Sequence, residues 1–306
     1  MPALEITTMA GCPLLCTFCP QDSLKASYGK NNKYLSVDQF KTVLRKIPKH
    51  CRIDFSGMSE PWANPWATQM LGHALERGYS VAIYTTLHGM SSVDADRAIE
   101  LIKAYRRQVE GVCLHLPDAS GNMRGWKYSA EYEAVLRKFL DLARRDKLRE
   151  FETMTMDGNG RIHEGLEHLG IRLERFTGIS RAGSLNLSAV GTQKIQFPPR
   201  HETPVSCAST PVYDHNVMLP NGDVVLCCMD YSLKHVIGNL FTQSYEDLFS
   251  SKEMNMIRTE NAKSGFSKCT ICRSCDNVIQ RGSRFFFSLK GARQTARRIR
   301  SRVNER

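Results

Sequence analysis

Gly11-Cys12-Pro13-Leu14-Leu15-Cys16-Thr17-Phe18-Cys19-Pro20 decides how the rest of the chain is read. Its cysteines are spaced Cys-x3-Cys-x2-Cys. Three thiolates so close on one loop can each take one iron of a 4Fe–4S cube, which leaves the fourth iron without a protein ligand. Most protein-held clusters use four cysteines, so a three-cysteine loop points to chemistry at the cluster itself. A short cysteine pair of this kind also suits a zinc site or a redox-active dithiol.

Composition narrows the setting. At 306 residues the chain is one large domain or two modest ones, and 42% hydrophobic content supplies a core. Disorder is excluded for most of the length. The opening MPALEITTMAG lacks the basic and long apolar regions of a signal peptide, and no apolar run is long enough to span a bilayer. Eleven cysteines without an export signal predict a cytoplasmic protein with reduced thiols or metal ligands. The net charge is +11, of which +8 falls in residues 281–306, where nine Arg or Lys face the single acid Glu305. The body is close to balanced and the tail is basic.

Upstream of residue 180 the chain alternates strand-like and helix-like segments. Expected strands are Leu4–Thr8, Arg52–Ser56, Ser80–Thr86, Gly111–Leu116, Glu150–Met156 and Leu173–Ile179, mostly apolar as buried parallel strands are. Expected helices are Val37–Ile47 after Ser36, Trp66–Arg77 stopping at Gly78, Asp94–Arg107, Ala130–Arg145 and a shorter Ile162–Leu169 stopping at Gly170. Six βα units imply a parallel sheet covered by helices, too few for a full eight-stranded barrel. The cysteine loop follows the first strand, which puts it at the C-terminal mouth, where βα loops build active sites. FPPRHETP, from Phe197 to Pro204, reads as a domain boundary. Beyond it, Val212–Leu219 and Val224–Met229 flank Pro220-Asn221-Gly222-Asp223, a hairpin signal. The division expected is therefore 1–196, 197–280 and a basic tail, 281–306. The middle unit has a thin core and needs metal to hold it.

The cysteine loop, with aromatic Phe18 before its third cysteine, resembles that of the radical S-adenosylmethionine (radical SAM) superfamily. The resemblance implies a partial (β/α)6 barrel in which Cys12, Cys16 and Cys19 hold a 4Fe–4S cluster. Its open iron would chelate S-adenosylmethionine, whose reductive cleavage yields a 5′-deoxyadenosyl radical. Gly57-Met58-Ser59-Glu60 after the second strand stands where that family has a Gly-Gly-Glu-like motif for the cofactor's amino group; Met58 and Ser59 depart from its simplest form. Ser180 and Arg181 occupy the place of a segment that meets the cofactor's carboxylate or ribose, and a guanidinium fork suits a carboxylate. Thr85 is a candidate for the ribose. His115 and Asp118, at the end of the fourth strand, are candidates for substrate contact, with His115 able to move a proton. An ordinary βα turn and a satisfied core histidine are the competing explanations.

Cys207, Gly222-x4-Cys227 and the run Cys269-Thr-Ile-Cys272-Arg-Ser-Cys275 are similar to the SPASM/Twitch extension of radical SAM enzymes. The cysteine number implies one auxiliary 4Fe–4S cluster, as in the shorter Twitch form. The ligands expected are Cys207, Cys227, Cys269 and either Cys272 or Cys275, with Cys228 as an alternative or a spare thiol. A structural zinc site is the competing interpretation. The resemblance implies an oxidoreductase or isomerase. It would act on a small sugar- or amino-sugar-like substrate and draw electrons from a flavodoxin or ferredoxin. Peptide modification is a second possibility. Radical modification of a nucleobase in nucleotide, RNA or DNA, viral DNA included, is a third. It is motivated by the tail, whose arginines are mixed with Phe285, Phe286 and Phe287. A non-catalytic cluster or zinc protein that binds nucleic acid is the alternative outside enzymes.

Overall fold

Ser36 opens the first long helix with a full capping box: its side chain accepts from the Gln39 backbone N–H, and the Gln39 side chain accepts from the Ser36 N–H. Such local signals repeat along the first half of the chain in the computed structural model. It describes residues 1–30, 32–146, 148–155, 160–174, 180–185 and 201–280. In chain order the elements are β1 (Ala3–Ile6), α1 (Gln21–Tyr28), α2 (Val37–Leu44), β2 (Arg52–Phe55), α3 (Ala67–Glu76), β3 (Val81–Thr85), α4 (Ser92–Ala104), β4 (Val109–Leu116), α5 (Ala130–Arg145) and β5 (Phe151–Thr155). After residue 200 come β6 (Val205–Cys207), β7 (His215–Met218), β8 (Asp223–Val225), β9 (Val236–Asn239), α6 (Asp247–Ser250), α7 (Lys252–Ala262) and β10 (Val278–Gln280).

Strands β1 to β5 pair in parallel and in sequence. Alternation then sorts their side chains between two faces. Leu4, Ile6, Ile53, Phe55, Val81, Ile83, Val112, Leu114 and Leu116 pack under helices α2 to α5 in one core. The other face carries Glu5, Asp54, Tyr84, Cys113, His115 and Glu152. An apolar layer thus supports a polar one, and the loops at the strand ends open above the polar side.

Of the expected sixth strand, the described residues show a parallel bridge from Glu174 to Met154. Residues 175–179 lie outside the described residues, as do Met156, the expected boundary at 196–197 and the whole tail 281–306. The expected helix at Ile162–Leu169 is a 3-10 turn, Glu164–Leu169, closed by left-handed Gly170. Gly165 in its first turn, bonded through its N–H to the His163 ring, favours the tighter winding.

The second half does not stand apart. β7 pairs in parallel with β1, and β8 and β9 continue antiparallel, so one eight-stranded sheet runs in the order β5-β4-β3-β2-β1-β7-β8-β9. The β7–β8 hairpin is the one its turn sequence predicts. Gly222 adopts φ +84°, and a Cβ there would lie 2.7 Å from the Phe241 ring and from Asn239 Oδ1. A two-stranded ribbon, β6–β10, places Cys207 opposite Val278. Under it, Arg273 is fully buried and donates to the carbonyls of His201, Thr203, Glu260 and Lys263. Among the described residues no helix is long and apolar enough to cross a membrane.

Candidate cluster and cofactor site

The cysteine loop is tied down on two sides. Leu15 and Thr17 donate backbone N–H bonds to the carbonyls of Arg124 and Asn122, and Thr17 Oγ1 reaches Asn122 Oδ1 at 2.8 Å. Within the loop, Cys19 N bonds Cys16 O at 3.0 Å, and Leu14 and Phe18 are buried as its anchors. Cys12, Cys16 and Cys19 come together, each half-buried, and lie close enough to influence one another's ionisation. Burial, with the neighbouring negative groups, pushes the Cys12 thiol up to about 11 and the Cys16 thiol higher still. Three thiolates in such a place require a compensating positive charge. Iron supplies it, so the residues fit a cluster.

Gln21, which the sequence pattern did not single out, is the joint of this site. It is 2% exposed. Its Oε1 accepts from Cys12 N at 3.2 Å, while Nε2 donates to Met58 O at 2.6 Å and to Cys19 Sγ at 3.1 Å. The cysteine loop and the 57–60 loop are thereby one unit. Glu60 closes that loop from the other side: its carboxylate accepts from Trp62 N, Thr85 Oγ1, Thr86 N and Thr86 Oγ1 at 2.6 to 3.1 Å. Thr85 Oγ1 also accepts from Leu87 N. Glu60 and Thr85 therefore clasp each other. Beside them, Ser59 Oγ is buried with no protein partner, a free polar atom at the position expected for the cofactor.

Asp118 is 2% exposed. Oδ1 accepts from Ser120 N, Asn122 N and Asn122 Nδ2, while Oδ2 is buried and unpartnered and its charge is felt by Cys16. His115 stands on the polar face of β4; burial, then the positive Arg181, pushes its pKa down to about 4. It is a neutral imidazole near pH 7. Arg181 has left-handed backbone, φ +51°, and its side chain turns toward the second half of the chain. There NH1 donates to Cys228 O at 3.3 Å and the guanidinium stands 5.4 Å from the Tyr231 ring centroid. Its Nε is buried and unpartnered. Ser180 instead serves the backbone, donating N–H to Asp276 and accepting from Gly183 N.

The second cysteine set surrounds a cavity of about 110 Å3 lined by Cys207, Cys227, Cys228, Cys272 and Cys275, with Glu5 at its edge. Burial pushes the Cys272 and Cys275 thiols up to about 11 and 12 and Cys227 well above its usual range, with the neighbouring Cys228, Cys272 and Cys275 adding to the rise at Cys227. Cys269, expected among the ligands, does not line the cavity; its Sγ contacts the Thr270 carbonyl at 3.6 Å. Both Cys272 and Cys275 line it. Thiols placed around a cavity suit a cluster-sized metal centre.

Cys228 lines the cavity beside its neighbour Cys227. It hydrogen-bonds Glu5 and packs with Cys19 and Leu233 against Tyr231, whereas Cys227 packs on the main core. Glu5 and Tyr231 lie outside what the sequence indicates, because their place depends on strands 200 residues apart meeting, whereas Cys228 is an alternative auxiliary ligand in the sequence.

The model of the SPASM iron–sulfur cluster-binding domain matches residues 207–276. Among solved structures, BtrN in complex with AdoMet and 2-DOIA aligns with a TM-score of 0.58 at 17% identity, over 90% of this chain and 93% of that one. The anSMEcpe structure with bound AdoMet aligns with a TM-score of 0.51 at 14% identity, over 89% and 87%. A further anSMEcpe structure, with AdoMet and the Cp18Cys peptide, gives 0.51 at 13% identity over 90% and 88%. No curated protein sequence matches the chain. The chain therefore shares the mostly parallel α/β fold of these AdoMet-bound proteins, and its residues 207–276 match the SPASM iron–sulfur cluster-binding domain.

Proposed function

We propose that the protein is a radical SAM enzyme that removes a hydrogen atom from a small polar substrate and oxidises it with the help of one auxiliary cluster. The carrying observation is that buried side chains link the two thiol sets. Tyr231 Oη lies 3.2 Å from Cys19 Sγ, Arg181 donates to the Cys228 carbonyl, and Cys228, hydrogen-bonded to Glu5, lines the cavity with Cys207, Cys227, Cys272 and Cys275. When bound, the 4Fe–4S clusters and S-adenosylmethionine supply a carbon-centred radical and a one-electron acceptor.

The chain's own residues do the rest. Ser59 Oγ and Arg181 Nε offer one acceptor and one donor to the amino-acid part of S-adenosylmethionine. Gln21 and Glu60 hold the 57–60 loop so that Ser59 stays in place. Asp118 Oδ2, near Cys16, offers an acceptor to a hydroxyl or amine. Removing a hydrogen atom and then an electron from an alcohol carbon releases the hydroxyl proton, and the Glu5 carboxylate can take it. Burial, then the Asp54 charge, holds the Glu5 carboxyl above its usual range, which suits a proton acceptor. The polar face of Glu5, Asp54, His115 and Glu152 favours a small hydroxylated or amino substrate, and BtrN is a fold relative bound to 2-DOIA. Reducing power would come from a flavodoxin or ferredoxin.

The test is 5′-deoxyadenosine formation by anaerobically reconstituted, reduced protein, stimulated in turn by small-metabolite, peptide and nucleic-acid fractions. Stimulation by small metabolites, absent in a Cys12→Ala/Cys16→Ala/Cys19→Ala variant, is expected. Stimulation by peptides or nucleic acid alone would overturn the substrate class. No cofactor cleavage at full iron occupancy would overturn the activity.

A further inference from the structure

The turn that follows the auxiliary ligand Cys227 reaches back to the N-terminal cysteine loop. Tyr231 is 2% exposed and packs on Leu24, Tyr28 and Met58, which belong to α1 and the 57–60 loop. Its hydroxyl lies 3.2 Å from Cys19 Sγ. As a thiol, Cys19 can donate to the phenol oxygen. As an iron-bound thiolate it can only accept, and the phenol O–H then becomes the donor. We propose that this hydrogen bond couples the auxiliary domain to the catalytic cluster: Tyr231, placed by the turn that carries Cys227, raises the reduction potential of the cluster on Cys12, Cys16 and Cys19. The inference rests on the reading above that those three cysteines hold a cluster.

Two features make the coupling physical. First, the donor acts on a cluster ligand. A hydrogen bond to a thiolate ligand stabilises the added negative charge of the reduced cluster, so it moves the potential upward. Gln21 Nε2 donates to Cys19 Sγ at 3.1 Å, and Tyr231 would be a second side-chain donor once Cys19 is a thiolate. Gln21 belongs to the barrel, whereas Tyr231 belongs to the SPASM domain. Second, the turn is held by the auxiliary site. Asp230 N bonds Cys227 O at 3.1 Å, and the buried Asp230 carboxylate accepts from Lys234 N and His235 N. Lys234 Nζ then reaches Cys269 O, and His235 Nε2 accepts from Ile271 N, so the turn is bonded to the segment that presents Cys272 and Cys275. Arg181 grips the same turn through Cys228 O, with its cation near the Tyr231 ring. A cube that fixes Cys227 relative to Cys272 and Cys275 therefore fixes Tyr231 relative to Cys19.

The test is an EPR redox titration of the reconstituted full-length protein, without S-adenosylmethionine. The Cys12→Ala/Cys16→Ala/Cys19→Ala variant supplies the auxiliary signal alone, so the N-terminal cluster is read by difference. Tyr231→Phe keeps the ring and removes the donor; the N-terminal midpoint should fall while iron content and the auxiliary midpoint stay at wild-type values. Replacing Tyr231 by 3-fluorotyrosine strengthens the donor and should raise the midpoint. Cys272→Ala/Cys275→Ala should lower the N-terminal midpoint as Tyr231→Phe does, and combining the two should add little further shift. An unmoved midpoint in Tyr231→Phe, or in the fluorinated protein should the phenylalanine variant not load iron, overturns the coupling. A wild-type spectrum identical to that of the triple-alanine variant instead overturns the underlying cluster assignment.

Discussion

Gly57 shows how far one residue of the cofactor loop is constrained. Its φ is +87°, and a Cβ there would sit 2.6 Å from Thr7 Oγ1 and 3.0 Å from Thr7 N. Thr7 Oγ1 is also the acceptor for Met58 N, so the loop cannot retreat without losing that bond. Gly57→Ala should cost about 1–3 kcal/mol of stability and weaken S-adenosylmethionine binding by about tenfold, read by a denaturant midpoint and by calorimetry. Gly78 is the control. It has nearly the same φ, +83°, but nothing within 4 Å of an added Cβ. Gly78→Ala should cost about 1 kcal/mol and leave binding unchanged. Equal effects of the two substitutions on binding would remove Gly57 from the site. At this scale the cysteine spacing was legible because it is local, and so was the loop after β2. The jobs of Glu60 and Thr85 were not: each is the other's partner, 25 residues apart, and only the parallel β2–β3 pairing brings them together.

The 3-10 turn Ile271–Ser274 decides which cysteines face the auxiliary cavity. With about three residues per turn, positions i and i+3 eclipse, so Cys272 and Cys275 come to lie on one side. Cys269 precedes the turn, separated from it by Thr270, whose hydroxyl is bonded to buried Asn261. The run CTICRSC is evenly spaced, so sequence alone does not rank its three cysteines. Where the tight turn starts sets which of them line the cavity, and buried Arg273 and His235, which accepts from Ile271 N, hold that turn. Cys272→Ala or Cys275→Ala should lower iron from about eight to about four atoms per chain, while Cys269→Ala should keep the wild-type count. Iron analysis after anaerobic reconstitution checks this, and loss of iron in Cys269→Ala would restore that residue to the ligand set. Helices, by contrast, read well from their own ends. α5 occupies Ala130–Arg145 as its sequence predicts, with Ser129 capping and Arg144 and Arg145 in the last turn.

The whole molecule is held together by β1, which lies between β2 and β7 with parallel partners on both sides. Sequence predicts two units, with a boundary placed by the local composition shift near Pro198 and Pro199. It could not show that a strand from the second unit completes the sheet of the first, because β7 is a short apolar segment whose partner is set 200 residues earlier. The consequence concerns stability as much as function. A chain cut after residue 200 would leave one edge of β1 unpaired and expose the faces of Ala3, Leu4 and Ile6, all at most 2% exposed in the whole protein. Unpaired, apolar strand edges aggregate. It would also lose Tyr231 from Leu24, Tyr28 and Met58, and Arg181 from its carbonyl at Cys228. The fragment 1–200 should therefore be insoluble or molten even when its N-terminal cluster is supplied, whereas the full chain gives one cooperative unfolding transition. Circular dichroism and size-exclusion chromatography of the two decide the matter. A monomeric, cooperatively folding fragment would mean that the shared sheet is a contact between independent domains, and that the route from the auxiliary site to Cys19 is not built into the core.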